Sequence, residues 1–385
     1  MSLDFTAEHE IHLTMAQEWI RRIYAGDPID EIQKWLTGRL TTAKPQEVNA
    51  VLSWAESFPF YDQVLTERAE RSMQPLSKRL EFQWPYASWR RLIDTPDEGI
   101  LVSVAAAPGT GKTIIAEMMG EGNARFGSHG SLFHLELNKK IMMDRRAVRQ
   151  TYAHVDRRLL KRGLLTDEQI ARLDEDFYVR MGKEDGLSWV DLSRDARQML
   201  NEANERMQAW PGSVDYVHCP GWSVNQIEEY ALAEQERRKD TDAPLTYIII
   251  DYFGKIAATG QQLKMYGTNI YARDADTIER LKTLAEKMSI PVVILDQLSK
   301  AGRQTDLADF DGTQIRSAGE KTERINVGIM VSLTRDEDTG EPTEELRVKV
   351  YKNTMGSEGV ITMRRKPDAF TILDIEPTEL TWGSN

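Results

Sequence analysis

The sequence predicts an α/β fold with a mostly parallel central sheet and antiparallel strands at its C-terminal end, preceded by a small all-helical region over residues 1–85. Three observations carry this expectation. From about residue 98, short runs rich in Val and Ile alternate with segments of helical period; the last three runs have no helix between them; and the first 85 residues carry apolar stripes at helical spacing. A strand buried on both faces reads as continuous apolar sequence, and helices between such strands supply the crossovers of a parallel sheet.

In the N-terminal region, "IHLTMAQEWIRRI" spaces Ile11, Met15, Trp19 and Ile23 four apart, and "EVNAVLSWAESF" sets Val48, Val51, Leu52 and Ala55 on one face. Such stripes serve core or inter-subunit packing. Pro85 in "FQWPYASW" marks the expected boundary with the domain over residues 86–385. The strand-like runs that follow are "ILVSVAA", "SLFHLEL", "VDYVH", "TYIIID", "PVVIL" and "GIMVSL", then "ELRVKVYK", "GVITMRR" and "AFTILD". Thr166 to Gln169 and Ser223 to Gln226 each have the capping-box form that opens a helix. The polar stretches "ERRKDTDAP" and "RDEDTGEPTEE" read as solvated loops.

The chain of 385 residues is long enough for one large domain and a smaller one. Its 49 Lys and Arg against 61 Asp and Glu give a net charge of -12. That balance opposes diffuse binding of a polyanion over the whole surface, so a nucleic-acid partner must meet a local basic patch. No apolar run approaches the length of a membrane span, and "MSLDFTAEHEIH" lacks the basic-then-apolar pattern of a secretory signal, so a cytoplasmic location and no membrane partner are expected. The single cysteine, Cys219, can form no intrachain disulfide and reads as a small residue near a strand end.

Residues 106–113, "AAPGTGKT", match the phosphate-binding loop pattern, with Ala106 where the first Gly usually stands, followed by Ala107, Pro108, Gly109, Thr110, Gly111, Lys112 and Thr113. A strand-like run precedes this stretch and a helical pattern follows it. The backbone amides around Gly109 to Lys112 can then ring a phosphate at a helix N-terminus, where orphan N–H groups and the helix dipole favour an anion. Lys112 would reach the β- and γ-phosphates of ATP, and Thr113 would give its hydroxyl to Mg²⁺. A carboxylate ending a strand beside the loop should complete the metal shell, and Asp251 in "YIIIDY" supplies it. Hydrolysis needs a group to orient or deprotonate water. Glu136, after "SLFHL", is expected on a strand neighbouring that of the loop; taken alone it is equally a surface charge.

The segments "AAPGTGKT", "FHLELNKK", "YIIIDYFGKI", "IPVVILDQLSK" and "TQIRSAGEKTERI", in this order, resemble the ATPase domain of DnaB-type replicative DNA helicases, within the RecA-like P-loop ATPases, over about residues 90–375. The resemblance implies the catalytic base position for Glu136. It also implies that Gln297 senses the γ-phosphate and couples it to DNA-binding loops at about 254–272 and 300–320. The second loop carries Lys300, Arg303 and Arg316, cations able to pair with phosphate oxygens, with Gly302, Gly312 and Gly319 leaving backbone amides accessible. Lys352 matches the lysine of a strand-borne Lys-x-Arg that reaches the neighbouring subunit's nucleotide.

Three departures stand out. Thr354 occupies the arginine-finger place in "YKNTMG", where Arg347, Arg364 or Arg365 are the candidates to substitute. Residues 176–210 look like an inserted helical element, and Arg324 and Asn326 stand where the family usually places acids. The resemblance implies a ring, hexameric by analogy, that translocates along single-stranded DNA with 5′ to 3′ polarity, the N-terminal region serving as collar or linker, and a loader or primase as possible partner. The alternative is a RecA-like ATP-binding regulatory or assembly protein with slow hydrolysis and no unwinding, which Thr354 and the acidic charge favour.

Overall fold

The computed structural model describes residues 66, 82–93, 96, 99–143, 145–146, 148–150, 194–299, 302, 305, 307, 309–315, 318–336, 338–367 and 369–374. The chain divides into two compact units, Met1–Met73 and Gln74–Asn385. Of the first, only Thr66, which is helical, is described, so the apolar stripes at Ile11–Ile23 and Val48–Ala55 lie outside the described residues, as does the capping box at Thr166–Gln169. The expected boundary residue Pro85 sits inside the second unit. Phe82 and Trp84, ahead of it, are buried in the same apolar cluster as Trp89 of α1 (Ala87–Leu92).

The second unit is one sheet of nine strands in the order β3-β2-β4-β5-β1-β6-β7-β8-β9. Its strands are β1 (Leu101–Ala106), β2 (His129–His134), β3 (Ser213–His218), β4 (Leu245–Asp251), β5 (Val292–Gln297), β6 (Val327–Arg335), β7 (Pro342–Asn353), β8 (Gly359–Lys366) and β9 (Thr371–Asp374). The first six pair in parallel and the last three join antiparallel. Each of the nine apolar runs read from sequence holds one strand. Alternation along a strand explains why the central ones look uniformly apolar. On β4, Ile248 and Ile250 face one core while Tyr247 and Ile249 face the other, and on β1 Leu101 and Ala105 oppose Val102, Val104 and Ala106.

Helices cover both faces. α2 (Lys112–Phe126) buries Ile115, Ala116 and Met119 on one side. α4 (Val224–Arg238) and α6 (Ile270–Met288) pack on the other, α6 through Ile278, Leu281, Leu284, Ala285 and Met288 at helical spacing. α3 (Arg194–Gln208) falls in the expected 176–210 insertion, whose residues before 194 are outside the description. The capping box at Ser223 forms, with the Ser223 N–H donating to Gln226 Oε1 at 2.9 Å.

Four expectations need correction. β2 does not neighbour β1: it pairs with β3 and β4, and both β4 and β5 stand between it and the loop strand. β4, which ends at Asp251, is likewise separated from β1 by β5. Residues 254–272 are mostly not a loop, because α5 (Gly260–Tyr266) forms there behind a capping box in which Gln262 N donates to Thr259 Oγ1 at 3.1 Å, and α6 begins at Ile270. Both polar stretches are largely structured. "ERR" closes α4, and "RDEDTGEPTEE" is a hairpin whose turn spans only 336–341.

Candidate nucleotide site

β1, β4, β5 and β2 run parallel, so their carboxyl ends meet one edge of the sheet, and the order of strands makes a crevice there. The loop after β1 bends through Gly109 and Gly111 at φ of 79° and 111°, a left-handed backbone that an L side chain resists. Gly111 is the N-cap of α2 and no side chain bonds its end. The amides at the head of this 15-residue helix therefore face the crevice. Gln297 closes β5 opposite Ala106, and Asp251 closes β4 opposite His134 of β2. Glu136 follows β2 by two residues.

These ends enclose a cleft of about 440 Å³ lined by Pro108, Gly109, Gly111, Lys112, Thr113, Ile114, Glu136, Arg145, Asp251, Tyr252, Gln297, Arg365, Pro367 and Phe370. The residues read from sequence as base, metal ligand, lysine and sensor thus converge, although β5 lies between the loop strand and both acids. Lys112 Nζ donates to Ala106 O at 2.9 Å and lies 5.9 Å from the Tyr252 ring centre. Glu136, half exposed, faces Lys255 Nζ at 3.5 Å. Asp251 is 4% exposed, and its Oδ2 lies 3.5 Å from His134 Nδ1. Its Oδ1 is buried and bonds to no donor among the described residues. A buried carboxylate oxygen without a protein partner, in the same cleft as the Thr113 hydroxyl, fits Mg²⁺, which is held by one or two protein oxygens together with phosphates and water rather than by a full protein cage.

Sequence reasoning did not find Arg145, Tyr252, Pro367 or Phe370. The Arg145 guanidinium sits 5.3 Å from the Phe370 ring centre, a flat cationic and aromatic pair at the cleft wall. Tyr252 adjoins Asp251 and could have been inferred from that position. Arg145 and Phe370 carry no local signal. Among the three arginines considered for the finger place, Arg365 alone lines this chain's own cleft, where Nη1 donates to Gly109 O at 2.6 Å and burial holds its pKa below the usual arginine value. Arg347 and Arg364 engage Glu345 and Glu344 on the surface at 3.3 and 2.9 Å.

Behind the loop helix lies a buried ionic cluster. Arg149 meets Glu117 at 2.6 Å and Glu121 at 2.5 Å, and also donates to Phe370 O at 3.1 Å. Burial raises the Glu117 carboxyl above its ordinary pKa despite the arginine beside it. Lys352 lies away from the cleft of its own chain: its ammonium donates to Thr322 O at 2.8 Å and Glu323 O at 3.0 Å, near the end of α7 (Ala318–Arg324). Burial lowers its pKa. Gly319 lies within α7, whereas Lys300, Arg303 and Arg316 are outside the described residues. Cys219 follows β3, is buried, and has its thiol pKa pushed up to about 12 by desolvation.

The strand order, the loop between β1 and α2, and the antiparallel C-terminal strands define a RecA-like ATPase fold. A solved helicase-type ATPase domain superposes with a TM-score of 0.62 at 17% identity, covering 82% of this chain and 98% of that one. A structure described as a DnaB-like replicative helicase and its interactions with primase superposes with a TM-score of 0.65 at 16% identity, covering 96% of this chain and 76% of that one. The model of the DnaB-like helicase C-terminal domain matches residues 90–372, and the chain belongs to that family. Nothing among the curated proteins matches the chain. Among the described residues no helix is long and apolar enough to cross a membrane.

Proposed function

We propose that this chain is the ATP-driven motor of a ring-forming helicase or translocase that moves along single-stranded DNA in the cytoplasm. The observation that carries this reading is the convergence of Lys112, Thr113, Glu136, Asp251 and Gln297 on one cleft in a chain of the DnaB-like helicase family. In it, Lys112 exchanges the carbonyl of Ala106 for β- and γ-phosphate oxygens of ATP, and the loop amides cradle the phosphates. Thr113 and Asp251 hold Mg²⁺, which neutralises charge developing between the β- and γ-phosphates. Glu136 orients the attacking water and accepts its proton. Gln297 reports the γ-phosphate to the segment that follows β5. Tyr252, Arg145 and Phe370 offer flat surfaces for the base and ribose.

In the assembly, Lys352 would act from the neighbouring subunit in a ring, hexameric by analogy, and Lys300, Arg303, Arg316 and Gly319 would line the DNA path with 5′ to 3′ polarity. Residues 1–85 would form the collar or linker, and a loader or primase would be the partner. The second reading, a nucleotide-dependent switch with slow hydrolysis, is favoured by Thr354 at the finger place and by Arg365 being engaged with its own loop. Surface ion pairs such as those of Arg347 and Arg364 are weak enough to exchange for phosphate, which keeps the motor reading coherent. Steady-state ATP turnover at low salt, titrated with a single-stranded oligonucleotide, separates the two. The motor reading expects stimulation of about tenfold or more; a rate indifferent to DNA supports the switch.

A further inference from the structure

Asp296, one residue before Gln297, is 2% exposed, and its carboxylate meets the Lys321 ammonium of α7 at 2.6 Å; Lys321 is itself 4% exposed. The ammonium lies 4.0 Å from the Phe253 ring centre, two residues beyond Asp251. The other carboxylate oxygen of Asp296 accepts the backbone N–H of Gln297 at 2.8 Å. One buried carboxylate therefore grips both the peptide that sets Gln297 and a cation on a helix outside the cleft.

The backbone makes this connection directional. Immediately after Gln297 the chain pairs with the segment leading into α7, through a bridge between Leu298 and Ile315 and a bond from Ser299 N to Gln314 O at 2.9 Å. Thr322, next to Lys321, donates to Gly312 O at 3.3 Å. Residues 298–299 and 312–315 thus form a stem, closed on one side by the strand that ends at Gln297 and braced on the other by α7. A buried ion pair is a poor source of stability, since desolvating two charges cancels much of their attraction; it is more readily understood as fixing one arrangement among several.

The geometry points to Asp296 and Lys321 as a positioning pair that transmits the state of the nucleotide cleft to α7 and the stem beneath the 300–320 segment. The pair deepens the motor reading and rests on it for the identity of the DNA ligand. Neither residue lines the cleft. Movement of Gln297 toward a phosphate must move the carboxylate that holds its N–H, and that carboxylate carries Lys321 and α7 with it.

The test is the double variant Asp296→Asn/Lys321→Met, in which the Asn carbonyl keeps the bond from Gln297 N–H and Met keeps the volume, so that no charge is left buried alone. Basal ATP turnover should stay within about twofold of wild type while stimulation by a single-stranded oligonucleotide falls about fivefold or more, the range of ordinary site-to-site coupling. Full stimulation in a folded double variant overturns the proposal. A second measurement needs neither DNA nor the variant. In the wild-type chain, a non-hydrolysable ATP analogue should slow amide exchange across residues 310–326, and unchanged exchange there overturns the proposal. If DNA fails to stimulate the wild type, the motor reading falls, while the exchange result still decides this one.

Discussion

At Gly130 a single hydrogen sets how the sheet can pack. A Cβ there would lie 2.1 Å from the ring of Tyr247, which is fully buried and tied to Gly120 O by its hydroxyl at 3.1 Å. The ring cannot retreat without breaking that bond or moving α2, which carries Gly120. Gly130→Ala should therefore destabilise the chain by about 3 kcal/mol, at or beyond the upper end of ordinary overpacking, read as a lowered urea midpoint. A functional counterpart is Arg365, whose bond to Gly109 O pins the phosphate loop from β8. Arg365→Ala should raise the KM for ATP about fivefold or more while the urea midpoint shifts little; an unchanged KM would mean the arginine serves only the loop's resting shape. Lys112, Thr113 and Asp251 were legible because each belongs to a short contiguous pattern whose chemistry is local. Arg145, Arg365 and Phe370 reach the same cleft from a helical turn, β8 and the loop before β9, and nothing in their immediate sequence records which cleft wall the antiparallel strands will form.

The strands were readable as elements, since double burial demands an uninterrupted apolar run. Their order was not. Glu136 was expected beside the loop strand because sequence proximity was taken for spatial adjacency, whereas the crossover carries β2 past β5 and β4. The stretches read as loops failed differently: charged residues in "ERRKDTDAP" were taken as solvated, but Arg238 is 6% exposed and paired to Glu234 and Asp215 across the start of the sheet. Hydrogen bonds from Arg237, then Arg238, hold the Glu234 carboxyl down from its ordinary 4.5 to about 2. Because the folded value is the lower one, this stabilisation is full above pH of about 4.5 and is lost as pH falls toward 2. With Arg237 largely exposed and screened, the contribution is about 1–2 kcal/mol. Glu234→Gln should thus lower the urea midpoint at neutral pH, and the gap to wild type should close as the pH drops through that window. A gap independent of pH would assign the loss to packing instead.

At the scale of the whole molecule, the fold gathers Lys112, Thr113, Glu136, Asp251 and Gln297 from the ends of β1, β2, β4 and β5, while leaving the resemblance's inter-subunit parts, Lys352 and the 300–320 segment, outside the cleft of the same chain. That division is what a ring requires, where one subunit binds ATP and the next completes the site as its own loops shift. It also explains how an acidic chain can serve a polyanion, because the net charge of -12 is a property of the outer surface as well as of any channel. All of this depends on ATP being held and cleaved at the turn ending in Lys112. The most direct test is the steady-state rate of ATP hydrolysis by Lys112→Ala, beside wild type, with saturating single-stranded DNA and Mg²⁺. The account predicts a fall to background in a variant that retains the wild-type urea midpoint; turnover within about twofold of wild type would contradict it.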